Sequence, residues 1–88
     1  MRYFDHDEEQ FIHLVRLAWD LAELGVGLAV QWPRREEPFI SVPRARGVLR
    51  VRAVLRGEHW VFTWGHSRGR CVAAFEEDAV TRVWEETR

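Results

Sequence analysis

Between residues 48 and 75 the apolar side chains fall on every second position, and nothing else in the chain limits its fold so tightly. Leu49, Val51, Ala53 and Leu55 alternate with Val48, Arg50, Arg52 and Val54, the period of a strand that buries one face. Trp60, Phe62 and Trp64 continue the pattern. A two-residue turn at Gly57-Glu58, with glycine in the first central position of a type II′ hairpin, pairs Arg56 with His59. That register sets Leu55 opposite Trp60, Ala53 opposite Phe62 and Val51 opposite Trp64, all six on one face. A second two-residue turn at Ser67-Arg68 pairs His66 with Gly69, Trp64 with Cys71, Phe62 with Ala73 and Trp60 with Phe75. A slip of one residue in either hairpin turns a whole strand over.

The period is helical over residues 11–24. Phe11, Leu14, Val15, Ala18, Leu21 and Ala22 recur at spacings of three and four and form the expected buried stripe, with His13, Arg16, Asp20 and Glu23 opposite. Asp5 or Asp7 suits the start as a cap, Glu8 and Glu9 suit the positive end of the helix dipole, and Gly25 suits a left-handed C-terminal cap. Val26, Leu28, Val30 and Trp32 then alternate as a strand until Pro33 and the polar run Arg34-Arg35-Glu36-Glu37-Pro38. Residues 39–42 read as a short edge strand closed by Pro43, and Arg44-Ala45-Arg46-Gly47 as a turn. Glu76, Glu77 and Asp78 precede Val80, Val83 and Trp84 at helical spacing, which predicts a short C-terminal helix. The expected fold is α+β, one domain over residues 1–88. It is a two-layer sandwich: an antiparallel sheet of about five strands, with the N-terminal and C-terminal helices on its aromatic face.

A chain of 88 residues buries only about 60–65 % of its unfolded surface, so its core has to be efficient. Five Trp and five Phe supply the large buried areas. Cys71 is the single cysteine; with no disulfide available within the chain, a reducing compartment, the cytoplasm, is expected. No run approaches the roughly 20 apolar residues of a membrane span, and the N-terminal residues lack the apolar segment of a signal peptide. All thirteen basic residues are Arg. Arg codons are GC-rich, which fits a bacterial source.

Charge is sorted along the chain. Residues 1–25 hold six acids and two Arg, a net of −4; residues 26–75 hold three acids and nine Arg, a net of +6; residues 76–88 hold five acids and two Arg, a net of −3. A basic sheet between acidic helices follows. Its face away from the aromatics should carry Arg50, Arg52, Thr63 and Arg70 beside Val54, Val61, Val72 and Ala74. Valines rimmed by Arg are the composition of a contact surface, because Arg carries its charge on an adaptable apolar stem.

Chemistry-bearing patterns are thin. The cluster Asp5-His6-Asp7-Glu8-Glu9 could supply metal ligands, but neighbours on a helix point about 100° apart and cannot converge. His66 and Cys71 are two ligands where a tetrahedral site needs four, and Cys71 is expected in the core rather than beside a base. Gly65-His66-Ser67-Arg68-Gly69-Arg70 has the residue types of a phosphate cradle yet joins two strands instead of opening a helix. Trp60, Phe62 and Trp64 lie on the covered side, unlike the open aromatic platforms that stack bases.

No catalytic residue, cofactor or metal is therefore assigned. The expected function is a non-catalytic protein-binding or regulatory accessory module. Its expected contact residues are Arg50, Arg52, Val54, Val61, Thr63, Arg70 and Val72, or an edge strand, against another protein or a second copy in a homodimer. Two alternatives stand beside it: nucleic-acid binding through the Arg-rich turns around Arg34, Arg35, Arg44, Arg46 and Arg68, and small-molecule binding or catalysis in a cavity walled by Trp19, Trp32, Trp60, Trp64 and Trp84.

Overall fold

In the computed structural model, which describes residues 6–65 and 70–88, helix α1 (His6–Glu23) leads into five strands and a closing helix. The strands are β1 (Ala29–Gln31), β2 (Phe39–Arg44), β3 (Gly47–Arg56), β4 (His59–Trp64) and β5 (Cys71–Ala73), and the last helix is α2 (Ala79–Glu86). The sheet runs β1-β2-β3-β4-β5 with every neighbouring pair antiparallel. Leu14, Leu17 and Leu21 of α1 and Ala79 and Val83 of α2 share one core with Leu49, Val51, Ala53, Trp60, Phe62 and Trp64. Both helices therefore cover the aromatic face, and the architecture is the expected two-layer α+β sandwich. No helix among the described residues is long and apolar enough to cross a membrane.

Helix α1 ends as its sequence predicts. Gly25 has φ 85°, its N–H donates to the Ala22 carbonyl at 2.9 Å, and the Val26 N–H donates to the Leu21 carbonyl at 3.1 Å. These two bonds make a Schellman motif, which satisfies carbonyls the helix leaves open. The buried stripe, however, is Gln10, Leu14, Leu17, Ala18 and Leu21, not the expected set. Phe11 is only partly buried, and Val15 and Ala22 face outward. Ten of the fourteen residues over 11–24 are apolar, so the apolar arc is wider than one sheet face can cover, and packing buried one side of it.

The first two strands differ from expectation in length and place. Strand β1 keeps only the later part, Ala29–Gln31, of the expected 26–32 run; Trp32 lies beyond it, half exposed, with its ring stacked on Phe11 at a centroid distance of 4.6 Å. Strand β2 is no edge, since β1 pairs along its outer side from Gln31↔Phe39 to Ala29↔Ser41. Pro43 is tolerated because it comes after the last of those pairs, where β2 is open and a missing N–H costs that ladder nothing.

The β3–β4 hairpin has the expected register throughout: Arg56↔His59, Leu55↔Trp60, Ala53↔Phe62 and Val51↔Trp64. Gly57 sits at φ 63° and Glu58 is not left-handed, the φ pattern of a type II′ turn. Five of the six paired side chains are buried, and Leu55, next to the turn, stays partly open to water.

The β4–β5 hairpin is slipped by one residue from expectation. The pairs are Thr63↔Cys71, Phe62↔Val72 and Val61↔Ala73, and the Trp64 N–H bonds the Arg70 carbonyl at 3.0 Å. An odd number of residues, 65–69, separates that last bonded pair, so the parity of β5 is reversed. Gly65 takes the first step of the wider connection at φ 68°; the expected turn at Ser67-Arg68 and the pair His66–Gly69 lie outside the described residues. Val72 is consequently a core residue and not a contact residue, while Cys71 lies on the open face and Ala74 packs toward the core. Phe75 leaves the core altogether and is 73 % exposed.

Candidate functional site

The sheet face that neither helix covers is built mainly by β3, whose period of two directs Val48, Arg50, Arg52 and Val54 to that side. Cross-strand partners complete it: Ser41 opposite Arg50, Thr63 opposite Arg52, Val61 opposite Val54, and Cys71 and Ala73 beyond them on β5. Of the seven expected contact residues, Arg50, Arg52, Val54, Val61 and Thr63 share this face. Arg70 reaches it from the end of the sheet, and Val72 does not belong to it.

One residue of this face went unnoticed in the sequence. Phe39 alternates with the core residue Ile40, so it points away from the helices, yet it is only 5 % exposed. The guanidiniums of Arg50 and Arg52 cover it, with their central carbons 4.9 and 5.6 Å from the ring centroid. By register Phe39 is the residue facing Arg52, with Arg50 diagonally adjacent, which is the reach of long side chains across a ladder. A cation over an aromatic ring contributes about 0.5–1 kcal/mol at an exposed site. Among the described residues no carboxylate lies within ion-pair distance of either arginine, the one such contact being His6 Nδ1 to Asp7 Oδ1 at 3.5 Å. The two charges are thus held in place by an apolar surface, with no described carboxylate paired to either.

A hollow of about 330 Å³ opens beside them, lined by Arg44, Val48, Arg50, Arg52, Gly65 and Arg70 together with Leu49. None of its described lining residues is acidic. Arg44 is anchored from behind: its Nη1 donates to the Glu86 carbonyl, at the C-terminal end of α2, at 2.6 Å.

On the helix side the groups are arranged differently. The indole N–H of Trp60 donates to Glu9 Oε2 at 3.4 Å, and the rings of His6 and His13 lie 5.1 and 5.3 Å from Trp60. Phe75 meets His13 edge-on at 5.4 Å. Burial holds the His13 imidazole below its ordinary pKa, aided by Arg16 and opposed by Glu9. A second hollow, of about 270 Å³, is lined by His13, Arg16, Asp20, Glu76 and Glu77 among others, so its charges are mixed. Cys71, approached by Arg56 Nη1 at 3.9 Å, stands on the opposite face from His6 and His13 and cannot form a thiol–imidazole pair with them.

The described residues of the acidic N-terminal cluster do not converge on one point. His6 turns to Asp7 while Glu9 serves Trp60, Asp5 lies outside the described residues, and among those described no three His, Cys, Asp or Glu could hold a metal together. The five tryptophans do not wall one cavity either. Trp60 and Trp64 are buried, Trp19 and Trp32 are 69 % and 50 % exposed, and Trp84 lies under Arg88 at 4.9 Å.

A second surface was also missed. Ile12, Val15, Trp19 and Ala22 form an outward stripe on α1, each at least one-third exposed, and Leu24 and Trp32 add to the exposed apolar residues beyond the helix. The signal was present as a second three-and-four spacing in the same helix. The expected buried stripe takes in only Val15 and Ala22 of it and leaves out Ile12 and Trp19.

No protein-family model matches this chain, and neither a curated protein nor a solved structure matches it.

Proposed function

We propose that the protein is a non-catalytic binding module whose open sheet face docks an acidic surface of a partner protein. The observation that carries this reading is the pair Arg50 and Arg52, held over Phe39 and opposed by no described carboxylate. Arg is enriched at contact surfaces because its planar fork pairs with carboxylates, and less of its freedom is lost for each bond formed. Val54, Val61 and Thr63 supply partly buried ground beside Arg52, and Arg70 adds a charge at the other end of the sheet. The partner is another protein or a second copy of this chain.

The test is the double substitution R50E/R52E, with R34E/R35E as a control that changes the same charge elsewhere. Circular dichroism establishes that both variants fold. Sedimentation at physiological salt and affinity capture followed by mass spectrometry then compare self-association and bound proteins. A partner, or a dimer, that is lost with R50E/R52E and kept with R34E/R35E supports the reading. A monomer that captures the same proteins with and without Arg50 and Arg52 overturns it.

The outward stripe of α1 favours a second contact surface. Contiguous apolar side chains that include exposed Trp mark protein contacts more often than solvated helix faces. Trp19→Ser is expected to weaken a contact made there while leaving the Arg-dependent one intact.

A further inference from the structure

The hollow beside Arg50 and Arg52 has the chemistry of an oxyanion site, and we infer that it binds a phosphate group in its dianionic form. The inference rests on the open sheet face being a binding surface and names the group that surface takes. Four arginines, Arg44, Arg50, Arg52 and Arg70, line one concavity, and no acidic residue is among its described lining. Like charges brought together repel, so an arrangement of this kind is relieved by a multiply charged anion more than by water. A carboxylate brings one charge, whereas a phosphate monoester brings about −1.5 to −2 and three terminal oxygens suited to several forked donors. The hollow is roughly ten times the ~30 Å³ that one water occupies in the liquid, so it admits a phosphate together with the group that carries it.

The surrounding structure prepares the site. Arg50 and Arg52 are placed by the ring of Phe39, so part of the entropy of ordering them is already lost before a ligand arrives. Arg70 lies across Gly65: a β-carbon added to Gly65 would stand 3.1 Å from Arg70 Cδ and 3.2 Å from its Nη1. The glycine therefore leaves the berth that Arg70 occupies. Arg44 is fixed by the Glu86 carbonyl and contributes charge from behind the other three.

The experiment is a titration of the isotopically labelled chain with inorganic phosphate, followed through the arginine Nε–Hε signals. Ionic strength is held constant with chloride, and O-phosphoserine and a short DNA single strand are separate arms. Saturable shifts of Arg50, Arg52 and Arg70, absent with chloride alone, are expected. R70A and G65A should each weaken phosphate binding at least fivefold, while R34A leaves it unchanged. Tighter binding of phosphoserine than of phosphate would identify a phosphorylated side chain as the source, and the reverse order a free phosphate. Shifts that never saturate, or that chloride reproduces, overturn the site, as does binding of DNA with no response to either phosphate compound. Because no partner is present, a negative titration alongside Arg50- and Arg52-dependent partner capture would end this inference and leave the proposed docking surface standing.

Discussion

The side-chain amide of Gln10 donates a 2.9 Å hydrogen bond to the carbonyl of Ala53, in the middle of β3. A central strand has neighbours on both sides, so an outside donor at that point needs a cause. The backbones of Trp60 and Trp64 bond to Ala74 and Arg70, the residues flanking β5, which leaves Val61 and Thr63 to bond Val54 and Arg52 of β3. Ala53 therefore directs its carbonyl toward β2. The register Ile40↔Val51, carried two residues further, puts Pro38 there, and proline has no N–H to give. Gln10, buried in the core stripe of α1, supplies the missing donor.

Gln10→Leu removes that donor and should destabilise the fold by about 1–3 kcal/mol, the cost of leaving a buried acceptor unmade. Pro38→Ala restores a backbone N–H at the facing position. Urea denaturation of both single variants and the double variant gives the coupling: Gln10→Leu should cost less in the Pro38→Ala background. Strictly additive effects would show that Pro38 is not the reason for the Gln10 bond.

The parity of β5 decides which of its side chains matter. Val72→Ala should cost about 2 kcal/mol, since it opens a cavity beside Phe62 in a core that packs tightly. Cys71→Ser and Ala73→Ser, on the open face, should each stay within about 0.5 kcal/mol. The opposite ranking in thermal or urea unfolding would mean that Cys71 and Ala73 point inward.

Burial lowers the pKa of His13 in the folded protein below the 6.5 of the free side chain. The unfolded chain then takes up the proton first on acidification. This contribution to stability is whole above pH about 6.5, falls as the pH drops toward the lowered folded value, and is constant below it. His13→Gln should flatten the slope of unfolding free energy against pH in that window. An unchanged slope would exclude His13 as its source.

Gly57 and Gly27 separate backbone strain from space. A β-carbon meets nothing within 4 Å at either position, but Gly57 sits at φ 63° and Gly27 is not left-handed. Gly57→Ala should destabilise by about 1–2 kcal/mol, and Gly27→Ala should be neutral or stabilise by up to about 1 kcal/mol through the unfolded state. Equal effects in chemical denaturation would contradict the type II′ turn.

What the sequence by itself determined lies between residues close in the chain. The periods of α1 and β3, the left-handed Gly25 and Gly57, and the whole β3–β4 register follow from local backbone preferences and from a turn too short to allow a second pairing. The tertiary structure decided the rest, where distant segments compete for the same space. It chose which part of α1's wide apolar arc meets the sheet, turned β5 over through a longer loop, and laid Arg50 and Arg52 over Phe39 from a neighbouring strand. It also placed Gln10 beside a carbonyl forty-three positions away. Periodicity records that a residue is apolar every second or fourth place. Only packing settles which of two apolar faces water is made to leave.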